Sequence, residues 1–321
     1  MSKPLVYVAL QQFCEADDRP RRALVDAGIE VRENTLGRRL RREEMADVLR
    51  NADAVLAGVE PYDHAVLEAL PRLRCISRCG TGTDTIDLDA ARRLGVTVCT
   101  TPEEVVDPVA QMTVAMILAL ARNLPLHVQE FRQGQWKKRT GFLLSEWTIG
   151  LLGFGRIGRA VERSLRVFGP RILVADPNLQ STDVPETATR CEQNTLLAEA
   201  DLVSLHASHP QAAGPLIGRG ELALMKSGSY LVNTARGFLV DEPALYEAVT
   251  SGHLAGAALD VFEQEPYAGP LAALPNVLCT PHVASLTRAS RVAMERRCAQ
   301  NAIDCLSRRG RAMSARAGAV R

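Results

Sequence analysis

Neither sign of charge predominates in this chain. Its 38 basic and 37 acidic residues leave a formal charge of +1, so no global field exists to hold a polyanion or an anionic membrane, and no nucleic-acid partner is expected. Long apolar runs are missing too. The longest, Val109 to Ala121, is interrupted by Gln111 and Thr113 and falls short of the roughly 20 residues a bilayer requires; it reads as a buried helix, and no membrane association is expected. No basic-then-apolar leader opens the chain, because MSKPLVYVAL reads directly as a first core strand, and a cytoplasmic protein is the expectation. No Cys-x-x-Cys pair occurs among the eight cysteines at 14, 75, 79, 99, 191, 279, 298 and 305, which points to reduced thiols rather than a disulfide framework. Cys75 and Cys79 have a spacing seen in some zinc sites. No matching partner pair lies nearby, and both fall in an apolar run, so no metal site is predicted. Polar runs are also too few for disorder, since 46% of residues are hydrophobic and 23% charged, near the average for globular chains.

What the chain does have is rhythm. At 321 residues it is long enough for two hydrophobic cores, and short apolar runs alternate with amphipathic stretches, the pattern of strand-helix units building parallel sheets. Strands are predicted at 5–10, 29–33, 54–58, 75–79 and 96–100, separated by helices near 18–27, 42–50, 63–69 and 87–94. Thr101-Pro102 breaks this series. A helix over 107–122 follows, with Asp107 as N-cap and Pro108 at its first position. Six further strands are predicted at 148–154, 172–176, 201–206, 229–235, 256–261 and 276–282, the number of a doubly wound dinucleotide fold. A last helix over 287–306 has no strand after it and is expected to pack back on the first domain. The tail RRGRAMSARAGAVR reads as a frayed terminus rather than a binding arm.

Within TIGLLGFGRIGRAV, Gly153, Gly155 and Gly158 form a G-x-G-x-x-G pattern between an apolar run and a helical one. Gly153 permits the tight turn, Gly155 lets the backbone approach a pyrophosphate, and Gly158 allows close packing of helix on strand. The amides around Arg156 and Ile157, in the first helical turn, face the phosphates. A glycine triplet alone is weak evidence. Asp176 strengthens it, because it ends the next predicted strand about 20 residues on, where a carboxylate accepts hydrogen bonds from the adenosine ribose. It would repel a 2′-phosphate, and Pro177 and Asn178 supply no cation; NAD is therefore predicted over NADP.

Three later strand ends carry polar residues: LVNTARG (231–237), DVFEQEP (260–266) and CTPHVAS (279–285). Singly, Arg236 reads equally well as a surface ion pair, Glu265 as a solvated carboxylate and His282 as a satisfied histidine. Together with the glycine loop the assortment is unlikely to be accidental, and its chemistry suits the reaction implied by the family resemblance given below, oxidation of a secondary alcohol beside a carboxylate. Neutral His282 would accept the hydroxyl proton and return it on reduction. Glu265 would orient the imidazole and favour its charged form, and Arg236 would donate two parallel hydrogen bonds. The loop Cys79-Gly80-Thr81-Gly82 reads as an anion nest for the substrate carboxylate, with a plain tight turn as the alternative.

With RCGTGTDTIDL, GLLGFGRIG, ELALMKSGSYLVNTARGFLVDEPAL, GAALDVFEQEP and LPNVLCTPHVAS in place, the sequence resembles the D-isomer-specific 2-hydroxyacid dehydrogenase family over nearly its whole length, and most of all its phosphoglycerate dehydrogenase branch. The resemblance implies two Rossmann-like doubly wound α/β domains with the active site in the cleft between them: a discontinuous substrate domain, 1–101 plus 287–321, and an NAD-binding domain, 102–286. It places the family's catalytic residues on Arg236, Glu265 and His282, cofactor contacts on His206, Thr234, Asp260 and Ala284, and a substrate contact on Arg78. It further implies a small anionic 2-hydroxy or 2-keto acid as substrate, a homodimer with the Asp107 to Trp136 region in its interface, and a reach of Lys137, Lys138 and Arg139 toward a neighbouring subunit. Gln111, Cys79 and the proline of HASHP, shifted to Pro210, depart from the family pattern. No regulatory domain is expected after residue 321. Glu265 argues against formate as substrate, since formate dehydrogenases of this superfamily pair the histidine with glutamine. Phosphite oxidation, an NADH-sensing corepressor-like binding protein and an NAD-binding protein that has lost catalysis remain as alternatives.

Overall fold

In a computed structural model, which describes residues 3–208 and 213–318 but not the side chains of 181 and 308–318, the chain divides into two units. One comprises residues up to Val105 together with those from Thr287 on; the other is Val106–Leu286.

The first unit is built on parallel strands β1 (Leu5–Val8), β2 (Glu30–Glu33), β3 (Ala54–Ala57), β4 (Cys75–Arg78) and β5 (Thr97–Cys99), in the order β2-β1-β3-β4-β5. Helices α1 (Arg19–Asp26), α2 (Arg42–Leu49), α3 (His64–Glu68) and α4 (Leu88–Arg93) alternate with them. Every residue of β3 is buried, as befits a strand with both faces covered.

The second unit opens with α5 (Val106–Ala121) and α6 (Leu124–Arg132), followed by β6 (Thr148–Leu152), β7 (Arg171–Ala175), β8 (Ala188–Arg190), β9 (Leu202–Leu205), β10 (Ser229–Asn233), β11 (Leu254–Leu259) and β12 (Val277–Cys279). Their order is β12-β11-β10-β9-β6-β7-β8, all parallel. Helices α7 (Arg156–Leu165), α8 (Gln193–Glu199), α9 (Arg219–Leu224) and α10 (Glu242–Thr250) lie between strands in the chain. One face of the sheet packs with Met116, Ile117, Val161 and Leu165, the other with Leu196, Leu222 and Leu245, so alternate residues of each strand enter different cores.

The two sheets share a device at their N-terminal edges. Asp53, just before β3, accepts the Leu5 amide at 2.9 Å and ion-pairs with Arg72 and Arg74 at 3.0 and 2.9 Å. Asp201, just before β9, accepts the Thr148 amide at 2.7 Å and pairs with Lys226 at 2.5 Å. In each case a carboxylate locks the unit's leading strand to the neighbour across the reversal of strand order. The opposite edges, where the strands end, are left for function.

Four details differ from the sequence reading. The second sheet has seven strands, not six: β8 has three residues, pairs only with β7 and is largely exposed, too short and polar for a periodic signal. Helix α5 starts at Val106, which puts Asp107 inside its first turn rather than at its cap. The units divide after Val105 rather than after 101, because Thr101 and Glu104 are tied to the first unit: Thr101 pairs with Gly80, and the Glu104 carbonyl accepts the Ser290 hydroxyl at 2.7 Å. Helix α11 (Arg288–Gly318) runs past the expected Leu306. It packs on the first unit, where Cys298 Sγ and Ser77 exchange two hydrogen bonds of 3.3 Å and Cys305 Sγ donates to the Arg74 carbonyl at 3.6 Å. Side chains of the basic tail from residue 308 lie outside the described residues, as does Pro210. All eight cysteines are free thiols. Among the described residues no single helix is long and apolar enough to cross a membrane, and α5 buries Val109, Met116, Ile117 and Leu120 in the core.

Candidate active site

β6 stands between β7 and β9, where the strand order of the second unit reverses. The three glycines after it have distinct jobs. Gly153 has a φ of +91°, and a Cβ there would lie 2.4 Å from the His206 carbonyl carbon, so both conformation and space require glycine. At Gly158 a Cβ would sit 2.4 Å from the Gly153 oxygen, which is the close helix-to-loop packing. At Gly155 nothing lies within 4 Å. That open glycine is the N-cap of α7, and no side chain caps the helix, leaving the dipole end and first-turn amides to an anion.

Asp176 follows β7. Its Oδ2 accepts the Phe154 amide at 2.9 Å and its Oδ1 the Asn178 amide at 2.9 Å, which leaves each oxygen a further lone pair for a ribose hydroxyl. Through its bond to Phe154 the carboxylate also braces the glycine loop. His206 hydrogen-bonds Ser204 through Nε2 at 2.9 Å, while its buried Nδ1 has no partner among the described residues. Burial pulls its pKa down to about 4, so the ring is neutral near pH 7. Thr234 is 6% exposed; because Thr113 donates its hydroxyl to Val109, Thr234 is the donor in their 2.8 Å contact, and its oxygen keeps an acceptor site. An open glycine at a helix N-terminus, a half-satisfied carboxylate and an orphan imidazole nitrogen fit a dinucleotide. Asp176→Ala is expected to raise kcat/KM with NADPH relative to NADH in steady-state assays; no gain with NADPH disproves the ribose assignment.

The ends of β10, β11 and β12 are neighbours and carry the three residues singled out for chemistry. Asn233 shapes the first end, donating to the Arg236 carbonyl at 2.8 Å and accepting the Ala235 amide at 3.0 Å. Arg236 is half-buried and donates to the Ala235 carbonyl at 2.7 Å. Directly after it, a Cβ on Gly237 would stand 1.8 Å from the Phe262 carbonyl carbon, so the segments after β10 and β11 meet backbone to backbone. The Glu265 Oε2 lies 2.8 Å from His282 Nδ1, and Oε1 accepts the Phe262 amide at 3.2 Å. The histidine side chain is 46% exposed. With Nδ1 engaged, Nε2 is its remaining proton acceptor.

His282 holds a left-handed backbone, φ +53°, a conformation costing a non-glycine residue roughly 1–2 kcal/mol. Asp260 offsets that cost. It is fully buried; its carbonyl accepts the His282 amide at 2.8 Å, and its carboxylate accepts Thr280 Oγ1 at 2.6 Å, the Val283 amide at 2.9 Å and the Ala284 amide at 2.8 Å. Asp260 and Ala284, placed at the cofactor by resemblance, are thus bonded to each other, and the aspartate holds the turn that presents the histidine. Sequence reasoning missed this role, although an acidic residue at a strand end two positions before a buried aromatic was there to be questioned.

In the first unit, Gly80 departs from the expected nest. Its amide donates to the Arg78 carbonyl at 3.0 Å and to Thr101 Oγ1 at 2.8 Å, and its carbonyl accepts the Thr101 amide at 2.9 Å. The turn, at φ +139°, closes on Thr101, so the Gly80 amide is not available to an anion. Thr81 and Gly82 amides have no internal acceptor among the described residues. Arg78 donates to the Cys79 carbonyl. Two members of the basic run are engaged within their own unit: Arg139 donates to Glu130 at 2.6 and 3.1 Å, and Lys137 lies 3.5 Å from it. Among the described residues no cluster of His, Cys, Asp and Glu could hold a metal ion.

Residues 114–284 match the D-isomer specific 2-hydroxyacid dehydrogenase, NAD binding domain. A glyoxylate reductase of Thermofilum pendens is 39% identical over 285 residues, spanning 83% of this chain and 81% of the relative. A D-3-phosphoglycerate dehydrogenase of Methanocaldococcus jannaschii is 36% identical over 264 residues, 80% of this chain. This chain spans only 50% of that relative's length. Among solved structures, the TT0316 protein of Thermus thermophilus superposes with a TM-score of 0.85 at 34% identity, over 94% of this chain and 97% of the other.

Proposed function

Since the chain belongs to the D-isomer specific 2-hydroxyacid dehydrogenase family, we propose that it interconverts a small anionic D-2-hydroxy acid and its 2-keto acid with NAD(H), using His282 as general acid and base. The observation that carries this reading is the 2.8 Å contact of Glu265 with His282 Nδ1, which orients the ring and leaves Nε2 for the C2 oxygen. Bound nicotinamide supplies the hydride acceptor or donor. His282 takes the hydroxyl proton as the alcohol is oxidised and returns it as the keto acid is reduced. Glu265 supports the imidazolium that forms. Arg236 grips carboxylate and C2 oxygen together, and a carbonyl that gains negative charge during reduction is stabilised by the same guanidinium. The Thr81 and Gly82 amides and Arg78 serve the substrate's anionic groups. Ile157, Gly158, Asp176, His206 and Thr234 serve the dinucleotide.

Relatives named for glyoxylate and for phosphoglycerate bracket the substrate as a short acid with or without a second anionic group. Following NADH absorbance against glyoxylate, hydroxypyruvate, pyruvate, 3-phosphohydroxypyruvate and phosphonopyruvate tests the reading. Saturable oxidation with at least one acid is expected. No turnover with any of them overturns it, and an arm with phosphite and NAD separates the phosphite alternative. A corepressor-like binding protein would bind NADH with negligible turnover in every arm.

A homodimer completes the proposal. Leu124, Val128, Phe131, Trp136 and Leu143 are 47–81% exposed on α6 and the segment after it, an apolar set suited to a second copy of the same chain. Sedimentation is expected to give the mass of two chains, falling to one in Trp136→Glu; a monomeric parent protein contradicts this. Eight free thiols suit a reducing, cytoplasmic setting.

A further inference from the structure

The segments after β10 and β11, which meet backbone to backbone at Gly237, are also joined by a hydrogen bond. Glu242 Oε1 accepts the Glu263 amide at 2.7 Å. That nitrogen is the one a Cβ on Gly237 would approach to 2.3 Å, so the tight apposition and the bond meet at one peptide group. Arg236 and Glu242 lie at the two ends of the connection between β10 and α10, and Glu263 lies just before Glu265 in the turn after β11. The Glu242 carboxylate therefore ties the segment that carries the guanidinium to the turn that carries the partner of His282.

An acid in a first helical turn ordinarily complements the helix dipole. Two observations ask more of this one. The cap of α10 is supplied by Asp241, whose side chain accepts the Ala244 amide at 2.9 Å. Glu242 is half-buried, and burial raises its pKa, so its carboxylate gives up hydration to reach the turn, a cost that a dipole partner standing in water does not bear. The turn needs such an anchor. At its start Phe262 stacks on Tyr267 at 4.1 Å and donates its amide to Glu265 Oε1 at 3.2 Å, both contacts lying within the same stretch of chain. Among the described residues, Glu242 is the one side chain from outside the turn that accepts an amide of residues 262–265.

We propose that Glu242 is a positioning residue: by holding the Glu263 amide it fixes the turn from Phe262 to Glu265, and with it the direction in which Glu265 meets His282 Nδ1. This rests on the reading of His282 as acid and base. Glu242 itself touches no reacting atom. It acts through Glu265, whose contact with the imidazole at 2.8 Å is made from a turn that would otherwise be held to its neighbour by packing alone.

Steady-state reduction of a keto acid by NADH tests this with variants that separate reach from charge. Glu242→Ala is expected to lower kcat roughly tenfold, the scale of one lost charge-assisted hydrogen bond, with KM and NADH affinity nearly unchanged. The solvent deuterium isotope effect on kcat should rise in this variant, because a misdirected imidazole slows proton transfer relative to hydride transfer. Glu242→Gln keeps an acceptor oxygen at the same reach and should retain most of kcat. Glu242→Asp keeps the charge at the helix end but falls short of the amide, and should behave like Glu242→Ala. A dipole role gives the opposite order, with Asp active and Gln impaired, and that order overturns the proposal. Full kcat in all three variants, or an unchanged isotope effect in Glu242→Ala, overturns it as well. In a Glu265→Ala background Glu242→Ala should lower kcat no further; additive losses show that Glu242 does not act through Glu265. If His282→Ala and Glu265→Ala lose kcat while the Glu242 variants do not, the proposal fails and the reading of the site survives. If His282→Ala and Glu265→Ala keep full kcat, both fall together. Should Glu242→Ala not fold, the contrast between Gln and Asp decides, and any result other than Gln active and Asp impaired overturns the proposal.

Discussion

His282→Ala is expected to lose on the order of 10²- to 10⁴-fold in kcat while binding NADH almost as tightly as the parent protein. The first half follows from proton balance: hydride transfer at a carbinol carbon cannot finish without removal of the hydroxyl proton, and in the proposed reaction that proton goes to His282 Nε2, the ring nitrogen that the Glu265 contact at 2.8 Å leaves over. The second half follows from where the dinucleotide contacts lie. The glycine turn and Asp176 follow β6 and β7, on the far side of β9 and β10 from β12, and none of their hydrogen bonds involves the histidine. Alanine also relieves nothing essential to the fold, since the side chain is 46% exposed and the turn is held through backbone amides by Asp260. Steady-state kcat and a fluorescence titration with NADH check both halves. Unchanged turnover excludes His282 as the acid and base. A parallel loss of NADH affinity shows instead that the turn has collapsed.

Strand positions were legible because short apolar runs such as AVLA and CISR, set between amphipathic stretches, suit strands covered on both faces; eleven of the twelve strands lie where the sequence placed them, whereas α6 was not anticipated. The glycine pattern was legible because a tight turn against a neighbouring strand leaves no room for a Cβ. What stayed hidden depended on partners remote in sequence. Whether the Gly80 amide is available depends on Thr101, and the presentation of His282 depends on Asp260; nothing local to either residue announces it. β8 was missed because an exposed edge strand needs no apolar alternation. Local chemistry thus pointed to the components of a candidate site, and long-range packing decides which of their polar groups remain available.

Gly237→Ala shows how far that packing governs function. No catalytic group is removed, yet kcat is expected to fall about 100-fold, the scale of misplacing a reacting group by about 1 Å. The added Cβ would stand 1.8 Å from the Phe262 carbonyl carbon, 2.1 Å from its oxygen and 2.3 Å from the Glu263 nitrogen. These are backbone atoms, so no rotamer change makes room. Phe262 is anchored as well, 7% exposed and stacked on Tyr267 at 4.1 Å, and its amide bonds Glu265 Oε1 at 3.2 Å. The segments after β10 and β11 must therefore separate, and they carry Arg236 on one side and Glu265 on the other. Overpacking of this kind costs roughly 1–3 kcal/mol, a fall of several degrees in Tm for a unit of this size. NADH affinity should change only a few-fold, because the glycine turn and Asp176 belong to strands that do not move. Thermal unfolding, NADH titration and kcat together separate this outcome from general unfolding, in which all three fail at once. Full kcat in a folded Gly237→Ala would show that the close approach of the two segments does not position Arg236 and Glu265.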